Sequence, residues 1–299
     1  MKYLVTGGAG FIGSNIVDSL VKLGHEVVVI DNESSESHDH FFWNENAKNY
    51  KLDICDYEST RNLYNGVDYV FHVAAEARIQ RTIKNPIRSV KTNVVGTTTV
   101  LQCSKEANVK RVVYSSTSSA YGRNKIPNEE TQPDDCLNPY SISKVAGEKL
   151  CSMYTNIFGL DTIIFRYFNV YGNRHPTKGI YAPVIGLFDV QKLNGEKLTI
   201  VGDGEQRRDF TNVKDVVDIN ILATTKDIDR KYFGNVFNVG TGTNYSVNQI
   251  ASFISDNTIN IPERLGEARE TLANIKKVKE VFDWEPSITL DQWFKERSI

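Results

Sequence analysis

No apolar run in the 299-residue sequence approaches the roughly 18–20 residues that a membrane-spanning helix requires, so a membrane partner is not expected. Cysteine is sparse. Cys55, Cys103, Cys136 and Cys151 are scattered without a Cys-x-x-Cys pair, which argues against a disulfide scaffold or a cysteine-zinc site and for reduced thiols. Excess positive charge is also missing. The formal net charge is −2, and the most basic cluster, Arg207-Arg208, is local, so the footprint of a nucleic-acid-binding surface is lacking. The opening "MKYLVTGGAGFIG" does not have the layout of a signal peptide, and a cytoplasmic location is expected. His38-Asp39-His40 falls in a polar loop over 32–48 without further ligands, so no metal is expected. Internal repeats and low-complexity tracts are absent.

Hydrophobic residues make up 40% of the chain, enough for a large core. In the N-terminal half, short runs rich in Val, Ile and Tyr alternate with stretches of helical spacing. The runs are Tyr3–Val5, Glu26–Ile30, Tyr50–Asp53, Tyr69–Val73, Arg111–Tyr114 and Thr162–Phe165. The helical stretches are Phe11–Lys22, Tyr57–Tyr64, Ile87–Ala107 and Pro139–Phe158. This alternation predicts an α/β fold: a Rossmann-type parallel sheet with helices on both faces. After about residue 170 the rhythm changes and Gly and Pro become frequent. We expect a dinucleotide-binding region over 1–170 and a smaller, interleaved C-terminal substrate region over 171–299. Pieces near 207–217 and 235–242 are expected to return to the edge of the main sheet.

"TGGAGFIGS" follows the first strand and opens the first helix. Gly7, Gly10 and Gly13 let the backbone turn tightly and approach a pyrophosphate. The first-turn amides at Phe11, Ile12 and Gly13, with the helix dipole, favour the anion. Asp31 ends the second strand, 18 residues after Gly13, where a carboxylate accepts hydrogen bonds from the adenosine ribose, with Asn32 beside it. A carboxylate there repels a 2′-phosphate, so NAD is the expected cofactor. Asp53 and Ile54 are placed where the adenine would lie, although Asp53 could equally cap the next helix.

In "NPYSISK", Tyr140 precedes Lys144 by four residues, just after Asn138-Pro139 opens a helix. Residues i and i+4 share a helix face, so the two side chains can address one site. A tyrosine ordinarily titrates near pH 10 and is a poor base. A neighbouring ammonium favours the phenolate and predicts a lowered pKa suited to general-base work.

With these residues in place, the sequence resembles the extended short-chain dehydrogenase/reductases that act on nucleotide sugars. The resemblance runs through "TGGAGFIG", "HVAA" (72–75), "SSTSSAYG" (115–122), "YSISK", "RYFNVYG" (166–172) and "GDGEQRRDFTNVKDV" (202–216), in the family's order and spacing. It implies Thr117 as the third catalytic residue, hydrogen-bonded to the sugar hydroxyl and Tyr140. It also implies Ala74, Ala75 and Asn93 on the cofactor side, and His72 as a packing residue. For the sugar nucleotide it implies Asn169, Arg208 and Arg264 at the diphosphate, Glu267 at the ribose, and Thr199, within "LTIVG", along the base. Arg207 and Arg269 are weaker candidates.

Within that family, 4,6-dehydratases carry Asp-Glu directly after the catalytic Thr, whereas here Ser118-Ser119 follow Thr117. The resemblance therefore implies epimerisation at C4 of a UDP-hexose. Thr271, a small residue beside the sugar's 2-substituent, favours UDP-GlcNAc/UDP-GalNAc with UDP-Glc/UDP-Gal also accepted. Arg78, in "EARIQRT", stands in a substrate-side turn where relatives often have smaller residues. A 4,6-dehydratase or 4-ketosugar reductase is the alternative, and a non-catalytic nucleotide sensor a remote one. A homodimer is expected through helices near 88–107 and 139–158, with Val94, Val95, Val100, Leu101, Val145, Leu150, Met153 and Tyr154 as candidate contacts.

Overall fold

In the computed structural model, which describes residues 1–38, 40–179, 182–264 and 266–297, the apolar runs form parallel strands. Asp39 of His38-Asp39-His40, Leu265 of "RLGE", and Ser298 and Ile299 of the C-terminal region lie outside the described residues.

The N-terminal half contains β1 (Lys2–Thr6), β2 (Glu26–Asp31), β3 (Lys48–Lys51), β4 (Tyr69–His72), β5 (Arg111–Thr117) and β6 (Asp161–Tyr167). Between them run α1 (Phe11–Lys22), α2 (Tyr57–Thr60), α3 (Ile79–Lys84), α4 (Pro86–Val90), α5 (Gly96–Glu106) and α6 (Pro139–Phe158). A π-helical turn, Lys91–Val95, joins α4 to α5. The rest comprises β7 (Val170–Tyr171), α7 (Val184–Leu193), β8 (Leu198–Val201), β9 (Arg207–Asp209), β10 (Thr211–Asn212), α8 (Val213–Thr225), β11 (Val236–Val239), β12 (Asn244–Ser246), α9 (Val247–Ser252), β13 (Thr258–Ile261), α10 (Lys276–Phe282) and α11 (Leu290–Glu296).

Seven of these strands form one sheet in the order β11-β6-β5-β4-β1-β2-β3. The order reverses between β1, which pairs with β2 on one side, and β4 on the other. Open α/β sheets bind ligands beyond the carboxyl ends of the strands at such a reversal. Each face carries its own core. One, with Ile16, Val17 and Leu20 of α1 and Val216 of α8, packs on Val5, Phe71 and Val113. The other sets Val100 and Leu101 of α5 and Cys151 and Tyr154 of α6 on Leu4, Val70 and Val112. Burying each such aliphatic side chain contributes roughly 1.5–3 kcal/mol.

Three expectations need correction. The third strand spans Lys48–Lys51 rather than Tyr50–Asp53, and all four of its residues are exposed. As an edge strand it pairs only with β2 and needs no apolar face. The following apolar residues, Leu52 and Ile54, instead face a cavity. The stretch 207–217 does not reach the main sheet edge as strand. β9 pairs antiparallel with β12 and β10 with β7, and it is α8 that packs on the main sheet. β11, by contrast, lies at the sheet edge beside β6. Finally, Val100, Leu101 and Tyr154 are buried in the core and unavailable to a partner chain.

Candidate active site

A cavity of about 500 Å³ opens at the carboxyl ends of β1, β4 and β5 and extends toward β8 and β9. At its nucleotide end the chain leaves β1 at Gly7 with φ +67°, a conformation that glycine adopts without strain. A Cβ on Gly7 would lie 2.7 Å from the Ala74 nitrogen, and one on Gly13 would lie 2.1 Å from the Gly7 carbonyl oxygen. The turn is thus packed backbone against backbone, and no side chain caps α1 at Gly10. First-turn amides left without a side-chain cap suit an anion. Asp31 accepts from the Ala9 and Glu33 amides at 3.1 and 2.8 Å. Burial raises its pKa, and these amides oppose the rise. Gly7, Gly10, Phe11, Ile12, Gly13, Asp31, Asn32, Ile54, Ala74 and Ala75 all line the cavity, a set that fits an adenine dinucleotide.

Asp53 does not line it. Its carboxylate accepts from the Cys55 amide at 2.8 Å and from Asn32 at 3.4 Å, and the helix that follows, α2, is capped by Asp56 rather than Asp53. Asn93 is also absent from the wall. It receives the Glu76 amide at 2.8 Å and donates to the Glu76 carbonyl and to Ser143, tying the loop after β4 to α6. His72 is buried between Thr6 and Thr97, at 2.7 and 2.9 Å, and burial lowers its pKa to about 3. A neutral packing residue is what that environment makes it.

The chemical end is built by α6 and the end of β5. Asn138 caps α6 through a reciprocal box with Ser141, Pro139 occupies the first turn, and Gly159 ends the helix at φ 73°. Gly147 permits close seating on β5, since a Cβ there would lie 2.2 Å from the Tyr114 hydroxyl. This docking presents Tyr140 to the cavity beside Thr117, whose hydroxyl also accepts from the Ser119 amide at 3.1 Å. Lys144 is 2% exposed and lies behind the wall, its Nζ 4.1 Å from the Tyr114 ring centroid.

The electrostatics depart from the expectation. Tyr140 does not have a lowered pKa. Burial raises it, opposed by the interaction with Thr117 and by the positive charge of Arg78. Lys144 is itself held down to about 7 by burial, with Glu148 opposing. Tyr140 lines the cavity and Lys144, four residues on, does not, and desolvation disfavours both charged forms.

At the far end, Asn169, Thr199, Arg208, Arg264, Glu267 and Thr271 all line the cavity. Asn169 has φ +25° and donates to the Asp209 carbonyl at 2.8 Å, an unusual backbone held by its neighbours. Arg208 lies 3.7 Å from Glu267, and burial lowers its pKa. Thr199 exchanges hydrogen bonds with Gln191 at 2.9 and 3.0 Å. The Thr271 hydroxyl, the Gln206 amide oxygen and His175 Nδ1 are buried without partners among the described residues, and all three residues line this end. Clustered unsatisfied polar atoms in one wall suit a polar ligand. Arg207 and Arg269 lie off the wall, bonded to Asn244 and Asp203.

One charged wall residue carries no expectation from the sequence, and Arg78 was expected only in a substrate-side turn. Glu76 is a cavity carboxylate beyond Ser118-Ser119, paired with Arg88 at 2.8 Å and Arg81 at 3.6 Å. Arg78 lines the same wall. "EARIQRT" carried the signal in its charge density, but which charges pair with each other is set by the fold.

Fold and cavity define a dinucleotide-dependent enzyme with a second, polar ligand site beyond the cofactor. The chain belongs to the NAD dependent epimerase/dehydratase family, whose sequence model matches residues 3–240. It is similar to a UDP-glucose 4-epimerase of Thermotoga maritima solved with UDP-glucose. That match has 37% identity and a TM-score of 0.92, covering 99% of this chain and 96% of the other. A UDP-N-acetylglucosamine 4-epimerase of Methanobrevibacter ruminantium M1, in complex with UDP-N-acetylmuramic acid, matches at 32% identity and TM-score 0.89, over 99% and 95% of the chains. A UDP-N-acetyl-alpha-D-glucosaminuronate decarboxylase of Bacillus cytotoxicus is 34% identical over 99% of this chain and 96% of its own. Among the described residues no helix is long and apolar enough to cross a membrane.

Proposed function

We propose that the protein interconverts the C4 epimers of a UDP-hexose through a transient 4-keto sugar. UDP-GlcNAc and UDP-GalNAc are its favoured pair, and UDP-Glc and UDP-Gal are also substrates. The observation that carries this reading is the chemistry beside the general base. Tyr140 and Thr117 share the cavity wall with the glycine turn, serines follow Thr117, and the nearby carboxylate, Glu76, is engaged by Arg81 and Arg88. Dehydration or decarboxylation would call for an acid or base at a second carbon, and that engagement leaves Glu76 a poor one.

NAD, when bound, supplies reversible hydride acceptance at C4. Gly7, Gly10, Phe11, Ile12 and Gly13 would hold its pyrophosphate, Asp31 and Asn32 its ribose, and Ile54, Ala74 and Ala75 would flank it. Tyr140 removes the proton from the 4-hydroxyl and later returns it. Thr117 donates to the oxygen at C4, where charge develops. Lys144 positions the nicotinamide end from behind, and Asn93 fixes the loop carrying Ala74 and Ala75. Asp53 shapes the turn leading to Ile54. Asn169, Arg208 and Arg264 anchor the diphosphate, where a guanidinium's planar fork matches phosphate oxygens. Glu267 meets the ribose and Thr199 the base. Thr271, 5% exposed with an unpartnered hydroxyl, leaves room for a 2-acetamido group. Anchored only at the diphosphate, the keto sugar can turn so that the hydrogen returns to its other face.

In this reading residues 1–170 with β11 serve the cofactor, and the remainder serves the sugar nucleotide. An apolar strip on α4, the π turn and α6 supports a homodimer in this reading: Ile87, Val90, Val95 and Ile142 are 81%, 47%, 49% and 56% exposed. Incubating the purified protein with UDP-, GDP- and dTDP-sugars without added cofactor tests the proposal. Chromatography should reveal UDP-GalNAc from UDP-GlcNAc. A 4-keto-6-deoxy product, or conversion that depends on added NADPH, refutes it.

A further inference from the structure

In the main sheet β1 lies between β4 and β2. Neighbouring strands run roughly 4.8 Å apart, so the chain leaving β2 and the chain leaving β4 stand roughly 10 Å apart, on either side of the glycine turn that follows β1. A link between those two segments beyond the strand ends bridges that turn, and the structure contains one. Ser34, Ser35 and His38 line the cavity from the β2 side, and Glu76, Arg78 and Arg81 line it from the β4 side. Arg81 Nη2, on α3, lies 3.0 Å from Glu36 Oε1, and Arg88 Nη1, on α4, lies 3.8 Å from the same atom. Arg88 Nη2 also donates to the Ser34 carbonyl at 3.0 Å, and Arg78 Nε to the Ser37 hydroxyl at 3.4 Å.

The bridging segment is held on both flanks as well. At its start Glu33 turns the chain at φ 53°, with its amide on Asp31 and its carboxylate receiving Trp43 Nε1 at 2.8 Å. Past its far end the Phe42 amide donates to the Ala9 carbonyl, inside the glycine turn, at 2.8 Å. The arginines that grip the middle are fixed in their turn. Nε of Arg81 and of Arg88 face the Glu76 carboxylate at 3.6 and 2.8 Å. Glu76 is 8% exposed, and Asn93 holds both its amide and its carbonyl. Two guanidiniums therefore sit between a buried carboxylate rooted in the fold and an exposed one, Glu36, on the bridging segment. These bonds are complete within the protein.

We propose that residues 33–37 form a strap across the cofactor cavity, fastened by Arg81 and Arg88 to Glu36 and Ser34, and that its unfastening sets the rate at which NAD enters and leaves. Arg81 and Arg88 are then positioning residues that hold the cofactor in place through the strap and take no part at the reacting atoms. Retention matters to the proposed reaction, in which the hydride taken from C4 must return before the reduced cofactor is lost. This rests on the glycine turn as the NAD site and not on which sugar reacts.

The test compares NAD exchange in the wild type, Glu36→Gln, Arg81→Gln and the double variant. Holoenzyme loaded with radiolabelled NAD is chased with excess unlabelled NAD, and the label retained is followed in time. Entry is followed as fluorescence quenching when NAD is mixed with protein stripped of cofactor. The Glu36 side chain is 73% exposed, so its replacement loosens the strap without touching a core. Losing its exposed ion pairs should speed NAD release about fivefold. Because the strap's bonds are internal to the protein, entry should speed up together with exit, and Kd should stay within about twofold of the wild type. A residue that bound NAD directly would instead weaken Kd through the exit rate alone. Salt screens exposed pairs, so release from the wild type should accelerate between about 0.05 and 0.5 M NaCl, and Glu36→Gln should lose most of that dependence. The double variant should release NAD more slowly than the product of the single effects, since both changes break one link. An unchanged release rate in Glu36→Gln overturns the proposal, as does faster exit without faster entry. The two claims fail differently: a wild type that takes up no NAD sinks the cofactor site itself, whereas bound NAD with unmoved rates in Glu36→Gln sinks only the strap.

Discussion

Gly13→Ala offers the sharpest probe of the nucleotide end. The added Cβ would lie 2.1 Å from the Gly7 carbonyl oxygen and 2.8 Å from both the Gly7 carbonyl carbon and the Gly8 Cα. All three are backbone atoms of the turn, so no flexible side chain can step aside. Overpacking a rigid site costs roughly 1–3 kcal/mol, and a backbone obstacle places this case at the upper end. The chain can respond by withdrawing α1 from the sheet or by displacing the turn. Withdrawal would expose Ile16, Val17 and Leu20, all fully buried, at roughly 1.5–3 kcal/mol each. The turn therefore moves, and the loss falls on NAD. About 3 kcal/mol corresponds to about a hundredfold weaker binding. The assay is isothermal titration of NAD into protein stripped of cofactor, with thermal melting of the same stripped samples. Gly10→Ala is the comparison, because its Cβ would meet the Gly7 oxygen at an ordinary 3.4 Å. Its cofactor-free fold should match the wild type, and any weakening of NAD must come from the ligand side. NAD affinity in Gly13→Ala within about threefold of the wild type would refute the reasoning, as would a loss that appears only as unfolding of the cofactor-free protein.

Replacing Thr271 with Tyr should lower kcat/KM for UDP-GlcNAc by about tenfold or more while leaving UDP-Glc within a few-fold, because the wall residue is 5% exposed and faces the cavity. Equal losses on both substrates would contradict its role as a gate. Lys144 ties stability to pH. Its folded pKa, about 7, is below its unfolded value, so the unfolded chain binds more protons between about pH 7 and 10.5, and its contribution to stability rises with pH across that window. Lys144→Met removes the term, so its melting temperature relative to wild type should be higher at pH 7 than at pH 10. A pH-independent difference would refute the assigned burial cost. Ile87→Glu, at an 81% exposed position on α4, should yield a monomer in analytical ultracentrifugation with NAD content unchanged. A wild type that is already monomeric removes the dimer proposal.

Legibility in the sequence followed the range of the forces involved. The limits of α1 and α6 were readable to the residue, because local chemistry sets them: a glycine turn before Phe11, Asn138-Pro139 before Tyr140, and a left-handed Gly159 at the end. The edge strand was misplaced by two residues because β3 buries nothing and so leaves no apolar pattern. The helix read as continuous over 87–107 contains a π turn at 91–95. Nothing in its periodicity marks that turn, which places Asn93 against Glu76 and Ser143. At the nucleotide end the constraint is steric and local, and most of the expected residues line the cavity. At the chemical end the spacing of Tyr140 and Lys144 was visible, but the sign of the Tyr140 shift was not. It depends on burial depth and on Arg78, which the fold brings from 62 positions upstream in the sequence. The diversion of Glu76 to Arg81 and Arg88 is likewise a tertiary fact.

The central claim is that hydrogen leaves C4 of the sugar and returns to the same carbon without entering solvent, while Tyr140 moves only the hydroxyl proton. Epimerisation of UDP-GlcNAc in D₂O, followed by proton NMR of the recovered nucleotide sugars, tests this directly. UDP-GalNAc carrying full protium at C4, C5 and C6 is the predicted result. Deuterium at C4 or C5, or a product altered at C6, would contradict the account.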